Sequence, residues 1–263
     1  MKTTRFTGNR AKTVFLGLAG FIFLVAMTTA PARGDFIDLP VKWSQPITVG
    51  SVPHKGPDPV PAASVIDGAD HLSNHLLNVV RADDFISDGR PIVAVRWWGS
   101  YLDTADMGVV RPNGFTGPFD ISFHLSDANF LPGVHPFSLP DALLALSTVT
   151  AQEFFVGFDS TGHAVYRYDA FIPVFEEQKG VEYFLDIDKP NPNERWGWHD
   201  THLQFLDYSA VAPTHAGPWS STGSPPPNGV PGFDLAFELL TIPEPATSVM
   251  AVFTLPWLLY RRR

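Results

Sequence analysis

The chain has 263 residues, with 18 Lys and Arg against 27 Asp and Glu, a formal net charge of −9, nine histidines and no cysteine. The lack of cysteine excludes a disulfide framework, a zinc–thiolate site and a cysteine nucleophile. The acidic balance argues against nucleic acid as a partner, because phosphate recognition demands a basic face; it also disfavours anionic lipid surfaces and polyanionic sugars unless divalent cations bridge them.

The first element is a leader. Lys2, Arg5, Arg10 and Lys12 form a basic region with no acid among them, and residues 14–27 form a fourteen-residue apolar run. Ala30-Pro31-Ala32 then offers small residues, Ala30 and Ala32, at the two positions a signal peptidase reads. Residues 1–32 are expected to be a signal peptide cleaved after Ala32, with an uncleaved anchor as the alternative. Without this leader and the chain beyond Pro245, eleven basic residues remain against all twenty-seven acids, a formal charge of −16. The body, residues 33–242, is long enough for one sandwich-sized domain held by core burial rather than disulfides.

Along that body, residues 35–45 lead into a Pro- and Gly-rich linker over 46–61, and residues 78–82 lead to Asp83-Asp84-Phe85. Residues 91–101 carry the β-branched and aromatic enrichment of a buried strand. Over 119–125, Phe119, Ile121, Phe123 and Leu125 alternate with Asp120, Ser122 and His124, the period of a half-buried strand with one wet face. Residues 152–158 and 164–171 flank Asp159-Ser160-Thr161-Gly162, a hairpin signal. Later strands are expected over 181–187 and 233–240, a long loop over 213–231, and a short helix over 140–146. Many short strands separated by Gly and Pro turns point to an all-β domain, a single β-sandwich or jelly roll. Through Ala82-Asp83-Asp84-Phe85, Trp97-Trp98-Gly99-Ser100-Tyr101 and Trp196-Gly197-Trp198-His199, the body resembles an uncharacterised β-rich domain of exported bacterial proteins.

Chemistry is sparse. His71 and His75 stand four apart, a spacing zinc sites use on a helical turn, but no third ligand lies at motif spacing. Asp186, Asp188, Asn191, Asn193 and Glu194 crowd oxygen ligands into a strand end and loop, without EF-hand spacing and stiffened by Pro190 and Pro192. A solvated acidic turn is the plainer reading, and no metal or other cofactor is expected. Asp83 and Asp84 are adjacent and, on a strand, point to opposite faces, which does not suit a glycosidase pair. No catalytic residue is assigned. Trp97, Trp98, Tyr101, Trp196 and Trp198 are candidates for stacking on sugar rings, although core packing accounts for large aromatics equally simply. Trp97 and Trp98, being adjacent, should face opposite sides of their strand.

The last element is the tail. Pro243-Glu244-Pro245 is expected to be extended, because proline restricts both itself and the residue before it. The chain from Val249 to Tyr260 is uncharged, and Arg261, Arg262 and Arg263 close it. Ala246 to Tyr260 supplies fifteen largely apolar residues, short of the roughly 20 a spanning helix needs. In order and position these parts resemble the PEP-CTERM sorting signal, the C-terminal tail of exosortase substrates, with Pro256 as a departure. The resemblance implies export, transient retention in the inner membrane by a transmembrane tail over 243–263, processing near the triplet, and delivery to the cell surface or extracellular matrix of a Gram-negative-type bacterium. The expected function is a non-enzymatic surface or matrix component whose partners are signal peptidase, exosortase and exopolysaccharide. The alternatives are a carbohydrate-binding module and, further off, an exported glycoside hydrolase.

Overall fold

The structure, a computed structural model, describes residues 39–50, 65–127, 137–201, 206, 208–223 and 232–243. The expected signal peptide, with Ala30 and Ala32, and the expected sorting tail from Glu244 to Arg263 lie outside the described residues. Among the described residues the fold is all-β: fifteen strands, two single 3-10 turns at His75–Leu77 and Thr104–Asp106, and no α-helix. No helix among them is long and apolar enough to cross a membrane.

The strands are β1 (Val41–Gln45), β2 (Thr48–Gly50), β3 (Val65–Asp67), β4 (Asp70–Leu72), β5 (Val80–Ile86), β6 (Ile92–Tyr101) and β7 (Gly114–Ser126). They continue with β8 (Pro140–Asp159), β9 (Ala164–Phe175), β10 (Glu182–Asp188), β11 (Trp196–Thr201), β12 (Ala210–Ala212), β13 (Ser220–Ser221), β14 (Asp234–Leu235) and β15 (Phe237–Leu240). The main order is β1-β15-β6-β9-β8-β7-β10-β5-β12-β13, with β11 against β6, β4 and β14. Every pairing is antiparallel except β3 on β8. The sheet is curled on itself. Phe85 of β5 packs on Phe237 of β15 and on Trp43 of β1, each at 6.4 Å between ring centroids, although these strands stand six and seven places away in the order.

The inner face of the curl is filled by aromatic rings on alternating strand positions. Trp97 of β6 meets Phe119 of β7 at 5.1 Å and Tyr168 of β9 at 5.6 Å, and Trp196 of β11 meets Phe119 at 5.2 Å. Edge and offset ring pairs of this kind add about 0.5–1.5 kcal/mol each beyond simple burial. Trp98, one residue on from Trp97, turns the other way into a smaller cluster with Ile66, Val165 and Ala236. The expected opposition of the two tryptophans is realised, with both sides covered.

The expected strands are present, with β7, β8 and β9 running past their predicted ends and 233–240 divided into β14 and β15. The expected linker over 46–61 holds β2, and the expected loop over 213–231 holds β13. Two further expectations are corrected. Residues 140–146 are not helical but open β8, a twenty-residue strand laddered to β7 from Ser126↔Pro140 to Gly114↔Glu153. Its Leu143, Leu144 and Leu146 are all exposed, so no apolar helical face was there to bury, and the ladder to β7 decides the conformation. The second correction concerns β7: its polar face is not wet, since Ser122 and His124 are fully buried.

Where β11 crosses β6, Trp198 pairs with Gly99. A Cβ at Gly99 falls against the Gly197 carbonyl oxygen and into the Trp196 indole. Gly99→Ala is therefore expected to cost about 1–3 kcal/mol through overpacking, read as a lower urea midpoint with an unchanged m-value. An unaltered midpoint contradicts so close a crossing.

Candidate functional site

The outer side of β7, β10 and β5 carries the polar residues that strand alternation excludes from the aromatic core. Register places Asp186 of β10 opposite Ser122 of β7, and Asp188 opposite Asp120. On the other flank β5 offers small Ala82 opposite Asp186, and β12 adds Ala210 beside Ala82. Because β12 extends the sheet past β5, the turn that follows folds back over the small residues and reaches β10 and β7. Gly217, at φ +80, lets this turn close with its N–H donating to the Thr214 carbonyl at 2.9 Å. The closed turn points His215 at β10 and lays Trp219 edge-on to His124, 5.4 Å away.

A second segment reaches the same place from the opposite end. The 3-10 turn at His75–Leu77 is held by Asn74, whose side chain accepts from the Leu76 N–H, and by Asn78 in the left-handed conformation at φ 59. The Asn74 amide donates to the Asn191 carbonyl at 2.7 Å, and Ser73 Oγ donates to the Ile187 carbonyl at 2.6 Å. These bonds moor the turn at the end of β10 and aim His75 at Asp188.

The result is a linked set of imidazoles and carboxylates. His215 Nδ1 donates to Asp186 Oδ1 at 2.8 Å, and His124 Nε2 donates to Asp186 Oδ2 at 2.8 Å. Ser122 Oγ donates to the same Asp186 oxygen. Both His75 Nδ1, at 2.8 Å, and the His75 backbone N–H, at 2.9 Å, donate to Asp188 Oδ2. Asp120 Oδ2 lies 3.9 Å from His75 Nδ1, while its Oδ1 accepts from Thr148 Oγ1 at 2.6 Å. Burial alone pulls the His215 pKa down, but the Asp186 and Asp188 carboxylates outweigh it and push it up to about 10. Burial likewise raises Asp186, yet hydrogen bonds from His124 and His215 hold its carboxyl below the usual range. One atom each from His75, Asp120, Asp188 and His215 falls within 4.8 Å of the others, a two-nitrogen, two-oxygen donor set.

A second imidazole–carboxylate cluster flanks β11. His199 Nδ1 donates to Asp70 Oδ1 at 3.0 Å and His71 Nε2 to Asp200 Oδ2 at 2.9 Å, with the His71 ring stacked 3.5 Å from Phe233. A third network is centred on Tyr101, whose hydroxyl donates to Glu153 Oε2 at 2.8 Å, with the Arg111 guanidinium 3.3 Å above its ring. Lys189 is buried beside it, donating to Thr116 Oγ1 at 3.1 Å and lying 3.6 Å from Glu194. Burial raises the pKa of Glu153 and lowers that of Lys189.

The residues singled out from the sequence are redistributed. His71 and His75 do not share a face: one lies on β4 and the other opens a 3-10 turn, and they serve different clusters. The acidic stretch is not a solvated turn throughout. Asp186 and Asp188 are wholly buried, Asn191 carries Asn74 on its carbonyl, and Glu194 turns to Arg111 at 3.2 Å. Trp97, Trp98, Tyr101, Trp196 and Trp198 are all at most 7% exposed and offer no ring face to a sugar. Their size and apolar bodies put them in the core, so the aromatic platform is withdrawn. Pro243 is exposed. His215 was not a sequence candidate, because it lies in a Pro- and Gly-rich stretch, 29 residues from Asp186 with no motif spacing between them.

Comparison with known proteins gives one family. A profile described as a domain of unknown function, DUF7901, matches residues 41–240. The chain belongs to the DUF7901 family. No curated protein and no solved structure matches it significantly. The DUF7901 match begins at the first residue of β1 and ends at the last of β15, so the family unit and the curled sheet coincide.

The cluster at β11 generates a pH prediction. Burial lowers the His199 pKa, but the Asp70 and Asp200 carboxylates overcome this and raise it above 6.5. The folded value thus exceeds the unfolded one, so the stabilisation is complete below about pH 6.5 and is lost as pH rises through the folded value. Urea midpoints of the wild type should fall across that interval, and the fall should shrink in His199→Gln. Parallel curves for the two proteins contradict the assignment.

Proposed function

We propose that this chain is an exported, non-enzymatic surface or matrix protein whose DUF7901 domain is released from a membrane-held tail by exosortase-type processing. The observation that supports this reading is the change in burial just after the last strand. The Thr241 N–H donates to the Pro40 carbonyl at 3.0 Å and Thr241 is fully buried, whereas Ile242 is 53% exposed. Pro243 is exposed as well, so the Pro-Glu-Pro triplet begins at the point where the chain leaves the sheet. A processing enzyme needs an extended segment free of the domain, and prolines on both sides of Glu244 favour that conformation. The apolar run and three arginines that follow suit a segment held in a bilayer with its cations among anionic headgroups.

The absence of cysteine and the acidic body fit the same setting. The polar clusters join strand to strand, as expected of a domain whose task is to persist in the envelope. Exopolysaccharide is the partner class this reading retains, on surfaces other than the buried aromatics.

Intact-mass analysis of the protein from envelope and medium fractions of its own host tests the proposal. The expected product begins near Arg33, ends near Pro245 and lies outside the inner membrane. Replacing Pro243, Glu244 and Pro245 together by alanine should hold the chain in the inner membrane. A wild-type product that keeps Arg263 there overturns processing and makes the tail a plain anchor.

A further inference from the structure

The geometry points to a closed divalent-metal site of the zinc class at His75, Asp120, Asp188 and His215, pinning the 213–219 turn and the 3-10 turn to the sheet. Four observations carry it.

The first is the donor set. Two imidazoles and two carboxylates, contributed by β7, β10 and two separate turns, bring their ligand atoms within 4.8 Å of one another. Bond lengths to zinc of about 2.0–2.2 Å give tetrahedral edges of about 3.3–3.6 Å. The contacts now in place, His75 Nδ1 to Asp188 Oδ2 at 2.8 Å, His215 Nε2 to Asp188 Oδ1 at 3.1 Å and His75 Nδ1 to Asp120 Oδ2 at 3.9 Å, lie near that range. Each imidazole faces its own Asp188 oxygen, and an ion would take the place of the proton that His75 Nδ1 shares with Asp188. The second observation is a buried contact that lacks hydrogen-bond geometry. Asp188 Oδ1 and His215 Nε2 face each other at 3.1 Å as an ion pair, without the alignment of a hydrogen bond. The Asp188 side chain is 0% exposed, and a cation in place of the imidazole proton would be ligated by both atoms.

The third observation is the support behind the ligands. His215 turns its other nitrogen to Asp186, the carboxylate–imidazole arrangement that orients a metal-binding histidine, and Asp186 is itself fixed by His124 and Ser122. Asp120 is steadied in the same way by Thr148, which leaves Oδ2 directed at the cluster. The fourth is chemistry. Imidazole nitrogen with carboxylate oxygen suits zinc and its late first-row neighbours, whereas calcium takes oxygen ligands alone in larger number. With all four positions supplied by the protein, the site has the closed form of a structural ion rather than the open form of a catalytic one.

The test uses the full chain, purified and stripped with a chelator. Calorimetric titration with Zn2+ should give one equivalent bound, with an increase in thermal midpoint, while Ca2+ at the same concentrations gives neither. Asp188→Asn and His215→Gln should each weaken zinc binding at least 100-fold. Thr148→Val, an exposed change that only frees Asp120, should weaken it roughly 10-fold. His71→Gln, in the other cluster, should leave it unchanged. Should the ligand variants misfold, the wild type alone decides: Co2+ in place of zinc must give the intense visible bands of a four-coordinate ion. A folded, stripped wild type that takes up no zinc, a pale six-coordinate cobalt spectrum, preference for calcium, or equal binding by folded Asp188→Asn each overturns the site.

Discussion

Two carboxylates on one buried face of β10 set the terms for the outer side of this domain. Asp186 and Asp188 are both fully removed from water, and a buried carboxylate without partners costs several kcal/mol. Strand alternation fixes which way they point: Leu185 and Ile187, which alternate with them, belong to the aromatic core, so the acids must face the other side. Partners have to be brought to them. β7 supplies Ser122 and His124 across the ladder, the turn after β12 supplies His215, and the 3-10 turn supplies His75. Each segment that covers the sheet is thereby chosen by the charge it neutralises.

This explains why a chain without disulfides can hold loops firmly. The inner face is joined by ring packing, which already resists a one-residue slip because such a slip would turn the rings to the other face. The polar contacts add to that register, since an imidazole or guanidinium bonded at 2.8 Å tolerates little slippage. Arg96 of β6 illustrates the same logic elsewhere, bonding Asp169 of β9 at 2.8 Å and Glu238 of β15 at 2.9 Å across three adjacent strands. Removing one member of such a buried set leaves the others uncompensated, a loss of about 3–5 kcal/mol in comparable cases.

How far these features can be read from the chain differs by element. The strand around Phe119, Ile121 and Phe123 and the hairpin at Asp159 to Gly162 were legible, because period-two alternation and turn chemistry are local. The opposite facing of Trp97 and Trp98 was legible for the same reason. The stretch around Leu143, Leu144 and Leu146 was misleading: its residues favour a helix, and only the partner strand β7 makes it extended. The polar positions of β7 were read as wet, since alternation tells which residues share a face but not what covers it. His215 gave no signal at all, as its partners lie 29 residues back in the chain.

The sequence by itself therefore determined the class of the fold and the acidic, cysteine-free character of its body. Those follow from composition and from periods of two residues, which act over short distances. Tertiary structure alone decided that the tryptophans are covered on both faces, that His71 and His75 part company, and that His75, Asp120, Asp188 and His215 meet. Such meetings depend on the curl of the sheet and on the return of one turn across it. Both are set by the burial of surfaces far apart in the chain, which no local pattern encodes.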